Sequence, residues 1–192
     1  MAVTVITPPE PVVSLEEAKM HIRVDGGDLE DGLIESYVAS ATQWLDGPAG
    51  WLGRSIGVQL LEARGWLSCE RLRLEFPPVL EIEDITIEGP GGVREAVDPS
   101  TYRLDGDILV VASGAAWVTQ PDHRIRYWAG YGHRDPGEAS KWINEPPAPI
   151  KVAILMLASQ WYYNRDAVAE SLTPQAMPFG VEALLNPYRI YR

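Results

Sequence analysis

The hydrophobic period of this chain changes twice, and that pattern constrains its fold more than any other feature. Between Asp28 and Leu45 the apolar residues Leu29, Leu33, Ile34, Tyr37, Val38, Ala41, Trp44 and Leu45 recur at steps of three and four, as on one face of an amphipathic helix. From about Gly57 the step falls to two. Leu72, Leu74 and Phe76 alternate with charged residues, and Leu80, Ile82, Ile85 and Ile87 follow the same rule, the period of half-buried strands. From Pro149 the long apolar helical pattern returns. A helix–strand–helix succession of this kind predicts an α+β fold, a helical core into which an antiparallel β subdomain is inserted.

Local signals set the boundaries. Pro8, Pro9 and Pro11 exclude helix from the first eleven residues. Ser14-Leu-Glu-Glu17 has the form of a capping box opening a short helix to about Ile22. Asp25-Gly-Gly-Asp28 breaks it, Asp28 is placed to cap the second helix, and Asp46-Gly-Pro48 ends that helix. Gly89-Pro-Gly-Gly92 and Asp105-Gly106 read as hairpin turns, and Arg124–Ala129 as a last strand before Gly130-Tyr-Gly132. Spacing and turns predict a small sandwich or a curled sheet. The expected organisation is residues 1–56 as an N-terminal helical part, 57–131 as the β subdomain, 132–166 as a polar, Pro-rich connection and a helix completing the helical core, and 167–192 as a linker and C-terminal docking tail.

Two segments point to assembly. The third helix, about 149–166, carries Ile150, Val152, Ala153, Ile154, Leu155, Met156, Leu157, Ala158 and Trp161, apolar over nearly its whole circumference. Such a helix requires burial on all sides. A neighbouring subunit is the expected cover, with Ile150, Ile154, Leu157 and Trp161 as the contact residues. After a stretch that reads as a flexible linker (167–177), the chain ends in Pro178, Phe179, Gly180, Val181, Leu184, Leu185, Pro187, Tyr188, Arg189, Ile190 and Tyr191 among few polar residues. Free tails are ordinarily polar, so this one is expected to dock into a partner.

The chemistry-bearing residues argue against catalysis. His21, His123 and His133 fall on separate elements without a ligand spacing; His133 is placed to pair with Asp135. Asp25, Asp28, Glu30 and Asp31 lack the alternate ligands, central Gly and distal Glu of a calcium loop, and helix capping accounts for them. The single cysteine, Cys69, rules out an intrachain disulfide and has no neighbouring His or helix N-terminus to lower its pKa. Gly89-Pro-Gly-Gly92 lacks the Lys-Ser/Thr of a phosphate loop. Neither a metal, a cofactor nor an enzyme activity is expected. Trp44 and Trp161 fall on helix faces. For Trp128 and Trp142, near the Gly130–Gly132 turn and the Pro-rich connection, loop packing and an interface are both open.

The net charge is −11, with nine acids against two bases in residues 1–50 and a small basic excess in 151–192. An acidic body disfavours gripping nucleic acid, which needs clustered Lys and Arg, and suits a surface that DNA slides past. No apolar run is long enough to span a bilayer, and the N-terminus lacks a basic start and apolar stretch; folding in the cytoplasm, away from membranes, is expected.

Five segments together resemble the head–tail connector (adaptor) proteins of tailed bacteriophages and gene transfer agents. They are Val13-Ser-Leu-Glu-Glu-Ala-Lys-Met-His-Ile-Arg-Val-Asp25; the Asp28–Trp44 helix followed by Gly53-Arg54; Ala129-Gly-Tyr-Gly132; Pro149-Ile-Lys through Trp161-Tyr-x-Asn-Arg165; and Pro178-Phe-Gly-Val-Glu-Ala-Leu-Leu-x-Pro-Tyr-Arg189. Their order matches over nearly the whole chain. Tyr163 stands where the family commonly has an acid, and the turn after the second helix is longer than usual. The resemblance implies a virion protein of the neck, assembled in the host cytoplasm as a ring of copies, usually twelve, beneath the portal protein. It implies a stopper or tail-completion protein below, a channel through which DNA passes without sequence-specific binding, and a C-terminal segment that reaches into the portal. No catalytic residue comes with it. The alternative reading is a DNA-packaging or terminase-associated accessory factor.

Overall fold

The computed structural model describes all residues except 25–26, 68, 90–91, 120–121, 166–177 and 192; the expected linker therefore lies outside the described residues. The fold is α+β, as the change of period predicts. Strands β1 (Ala2–Thr7), β2 (Gln59–Gly65), β4 (Val79–Glu88), β5 (Arg94–Ala96) and β8 (His123–Ala129) form an antiparallel sheet in the order β1-β2-β8-β4-β5. Strands β3 (Arg71–Arg73), β6 (Tyr102–Asp105) and β7 (Ile108–Val111) form a second sheet, β3-β7-β6. Both hairpin turns fall where the glycines predict them: Gly89 donates its N–H to the Val93 carbonyl at 2.9 Å, joining β4 to β5, and Gly106 at φ +59 turns β6 into β7.

Alternation decides which side chains the two sheets share. On β8, His123, Ile125, Tyr127 and Ala129 point inward and are buried, while Arg124, Arg126 and Trp128 alternate outward. Leu61, Ala63, Ile85, Ile125 and Tyr127 of the larger sheet make one apolar core with Leu109 and Val111 of the smaller, against which Leu72, Tyr102 and Leu104 pack. The arrangement is the sandwich alternative.

Helices α1 (Leu15–Ile22), α2 (Asp31–Leu45), α3 (Ala148–Tyr163) and α4 (Phe179–Leu185) build a second core. The capping box is present: Ser14 Oγ accepts from the Glu17 N–H at 3.1 Å, and Glu17 accepts from the Ser14 N–H at 2.9 Å. On α2, Ile34, Val38, Ala41 and Leu45 are buried. They meet Ile150, Ala153, Ile154, Leu157 and Ala158 of α3, with Ala18 and Ile22 of α1.

Four expectations need correction. Residues 2–7 are not merely extended: the β-branched run Ala-Val-Thr-Val-Ile-Thr pairs with β2, so the N-terminus belongs to the sheet before the prolines turn it toward the helices. Asp28 does not cap α2. It opens a single 3-10 turn, Asp28–Glu30, because the Glu30 and Asp31 carboxylates are held by Arg165 and Lys19; Leu29 and Leu33, carried on the outer side, are exposed. The segment after Gly130 is not all connection: Gly132–Arg134 and Trp142–Asn144 form a two-stranded ribbon, β9 and β10. His133 faces Glu145 at 3.5 Å rather than Asp135, since Asp135 accepts from the Gly137 N–H.

Candidate docking surface

Three of the segments that carry the resemblance meet at one surface, where the C-terminal segment is seated. The first is the turn after α2. Asp46 ends the helix and accepts the Ile56 N–H at 2.5 Å and Gln59 Nε2 at 3.1 Å, closing the loop on itself. Within that loop Gly53 has φ +67, a conformation that favours glycine. A side chain there would also meet the Ile190 carbonyl oxygen, 2.8 Å from where its Cβ would stand. The second is Ala129-Gly-Tyr-Gly132. Gly130, at φ +139, brings its backbone against Gly57, and this close approach places Tyr131 beside Arg54. The third is the tail itself.

Arg54 joins them. Its Nε donates to the Tyr188 carbonyl at 2.5 Å and its Nη1 to Tyr131 Oη at 2.7 Å. Burial pushes the Tyr131 hydroxyl pKa up, against the pull of the Arg54 charge. The tail continues across the turn: the Ile190 N–H donates to the Leu52 carbonyl at 2.9 Å, and the Arg189 guanidinium lies 3.8 Å from the Trp51 ring centroid and 4.7 Å from that of Tyr191.

The tail residues divide sharply. Val181 and Leu185 of α4 are fully buried in the helical core, and Gly180 packs close to Met156 of α3. Pro178, Leu184, Tyr188, Arg189 and Ile190 are half-buried; Phe179, Pro187 and Tyr191 are exposed. The sequence predicts that the tail docks into a partner; its amphipathic turn is seated on the chain's own helical core through Val181 and Leu185, which leaves its exposed residues for any partner.

The third helix is corrected more fully. Ile150, Ile154 and Leu157 are buried by the chain's own α1, α2 and α4, and Trp161 is half-buried, its ring 6.2 Å from that of Trp44. Three helices suffice to surround α3 because α4 covers a side that the sequence pattern leaves open. What α3 exposes is Ala148, Val152, Gln160 and Tyr163. Polar contacts fasten the rest: Lys151 Nζ lies 2.6 Å from Glu17 Oε1, Tyr163 donates to the Ile22 carbonyl at the end of α1, and Tyr162 and Arg165 both donate to Glu30. The hydrogen bond from Lys151 holds the Glu17 carboxyl below its ordinary range, and those from Tyr162 and Arg165 do the same for Glu30.

The residues weighed for chemistry remain apart. His123 is fully buried, accepting the Leu67 N–H at Nδ1 and donating from Nε2 to the Trp117 carbonyl, so its ring is committed to structure. Cys69 is exposed and donates to the Arg71 carbonyl. Trp128 and Trp142 pack 5.5 Å apart with the Arg134 guanidinium over the Trp142 ring at 4.0 Å. Among the described residues no group of three or more His, Cys, Asp or Glu could hold a metal ion, and no helix is long and apolar enough to cross a membrane. Sequence reasoning missed Trp51, Arg54 and Tyr131 as members of the tail's seat. The Gly53-Arg54 and Gly-Tyr-Gly signals were visible, but nothing in one dimension joins them.

No model of a known protein family matches the chain, and no curated protein matches it. Solved structures do. A chain in the neck of an empty gene transfer agent (GTA) particle, computed with C6 symmetry, has a TM-score of 0.76 at 22% identity, over 100% of this chain and 97% of that one. A chain in the virion of a native gene transfer agent particle gives 0.74 at 24%, over the same shares. A chain in the neck of the native particle, computed with C12 symmetry, gives 0.72 at 22%, again over 100% and 97%. The fold is therefore shared from end to end with chains of gene transfer agent particles.

Proposed function

We propose that this chain is a structural, non-catalytic subunit of the neck of a phage-like particle: a head–tail connector that forms a ring of twelve beneath the portal, joins the DNA-filled head to the tail and leaves a channel open. The observation that carries this reading is the likeness to neck chains over the whole length of this sequence. The five ordered sequence segments support it independently, because four of them meet in the scaffold around α3 and three in the tail's seat. The acidic body suits a wall that DNA passes without adhering.

Within that reading the tail contacts the portal through what it leaves exposed, Phe179, Pro187 and Tyr191, with Arg189, while Val181 and Leu185 hold its base to the subunit. The face of α3 offered to neighbours is Val152 and Tyr163. A stopper or tail-completion protein stands below. Cryo-electron microscopy of particles containing the chain tests the proposal: a ring at the neck is expected, and density confined to the capsid shell or the tail tube would overturn it.

A further inference from the structure

The three-stranded sheet has an outer face that the fold does not use. Leu72, Leu109, Val111, Tyr102 and Leu104 point into the core between the sheets, so the alternate residues point out. Register makes two rows of them. Arg71, Val110 and Arg103 stand side by side across the sheet, and Arg73, Ile108 and Asp105 form the next row. The three arginines are exposed and Ile108 and Val110 half-buried. Only Arg71 has an ion-pair partner among the described residues, a loose one to Asp105 at 3.8 Å. In a chain of net charge −11 this face carries three arginines and one aspartate around an apolar centre, a net positive rim. Arginine around apolar residues is the composition of a protein interface.

A surface of the opposite character lies on the helical side. The N-terminal segment and α2 enclose a groove of about 1000 Å³, walled by apolar residues such as Val5, Pro8 and Val38 and lined by three acids and no base. Asp46 is engaged by Ile56 and Gln59. Glu10 and Glu35 are exposed and make no ion pair among the described residues.

We propose that in the ring the arginine face of one copy seats against the Glu10–Glu35 groove of the next copy. The inference rests on the ring reading above and assigns its surfaces. A ring closes through a head-to-tail contact between two different patches of the same chain, and these two share no residue. They are complementary in charge, and each offers apolar area beside its charges. Nucleic acid is the weaker occupant for the arginines: three cations centred on Ile108 and Val110, in a strongly acidic body, make a poor phosphate grip.

Cysteine cross-linking in assembled particles tests this. The full chain carries Cys69→Ser with Glu35→Cys and Arg103→Cys, and particles are oxidised and run without reductant. A ladder of covalent multimers is expected, absent from either single-cysteine variant. Separately, Arg73→Glu with Arg103→Glu should lower incorporation at the neck about tenfold or more, since like charges then face each other. Adding Glu10→Arg and Glu35→Arg should restore it. Should the reversed variant fail to fold, the cysteine pair still decides. No ladder in particles that nonetheless show a ring of this chain would overturn the assigned surfaces and leave the neck reading standing. Absence of the chain from the neck would overturn both. Normal incorporation of Arg73→Glu/Arg103→Glu with loss of protein–DNA photocross-links would give the face to DNA and sink the proposal.

Discussion

Arg54 and Tyr188, 134 residues apart, are joined by a hydrogen bond of 2.5 Å from the guanidinium Nε to the backbone carbonyl. The bond fixes where the tail leaves the helical core, and Tyr131 fixes the guanidinium from the other side at 2.7 Å. Arg54→Ala removes both contacts and leaves two half-buried acceptors. A loss of about 2 kcal/mol is expected, at the level of a charge-assisted hydrogen bond. Arg54→Lys should recover only part of it, because a single ammonium nitrogen cannot stand at the positions of both Nε and Nη1. Denaturant melts measure the loss. Hydrogen exchange at the Ile190 amide, which bonds to Leu52, should speed up more than exchange in α2. Equal protection at Ile190 in wild type and Arg54→Ala would show that Arg54 does not hold the tail.

The base of the tail and its tip are predicted to behave differently on truncation. Val181 and Leu185 are fully buried, so Leu185→Ala should cost about 2–5 kcal/mol. Deleting 178–192 should lower the melting temperature of the whole chain by exposing Ile154 and Leu157. Deleting only 189–192 removes two backbone hydrogen bonds, Arg189 N–H to Asn186 and Ile190 N–H to Leu52, and the cation–π contact of Arg189 with Trp51, and should cost about 1–2 kcal/mol. Thermal melts of the two truncations separate these cases. If the longer deletion melts like the full chain, α4 is not part of the core.

These residues also show what was legible in the sequence. Period-two alternation on β8 and period-3.6 on α2 specify elements and buried faces directly, because each side chain's direction follows from its own backbone. The capping box and the hairpin glycines are equally local. The third helix exposes the limit: its apolar circumference says that it is covered, but not by what. The cover includes Val181 and Leu185, beyond twelve undescribed residues, and no spacing rule spans that distance. The tail's seat is hidden for the same reason, since Trp51, Arg54, Tyr131 and Tyr188 come from three remote segments. The arginine face was missed because Arg71, Arg73 and Arg103 read as ordinary outward charges until the β3-β7-β6 register sets them in rows.

Asp46 predicts an unusual pH dependence. Burial pushes its pKa up from 3.8 to about 6, against the hydrogen bonds from Ile56, Gln59 and Gly47. A carboxyl whose folded pKa is raised binds its proton more tightly in the folded state. Its contribution is full below 3.8, declines as pH rises toward 6, and is constant above that, with a slope of at most about 1.4 kcal/mol per pH unit. Asp46→Asn keeps an oxygen for the Ile56 N–H and has no charge to bury. Relative to this variant, wild type should lose stability between pH 4 and 6 and then run parallel to it, as urea melts at a series of pH values would record. Parallel profiles throughout would mean that Asp46 titrates normally.

Glu62 makes the opposite case, and it reports on the sheet rather than the loop. It is fully buried on β2, directly across from Arg126 on β8, which donates from Nε at 2.9 Å and also lies 3.7 Å from Asp84 on β4. Arg64 donates to the other carboxylate oxygen. Burial pushes the Glu62 pKa up, but the hydrogen bonds and charges of Arg126 and Arg64 outweigh it and hold the pKa below 4.5. The stabilisation is therefore present above pH 4.5 and lost as pH falls through the lower, folded value. Arg126→Ala leaves the carboxylate with Arg64 alone. A cost of about 2 kcal/mol is expected at pH 7, less than for a fully enclosed pair because Arg126 is itself partly exposed. That cost should shrink as pH falls below 4.5 and the carboxylate is protonated, since a neutral Glu62 no longer needs the Arg126 charge. Arg126→Met combined with Glu62→Met should cost less than Arg126→Ala alone, since no buried charge is left without its partner. Melts of the two variants at pH 7 and pH 3 decide it. A penalty for Arg126→Ala that is the same at both values would assign its effect to lost packing over β2 and β4, not to the carboxylate beneath it.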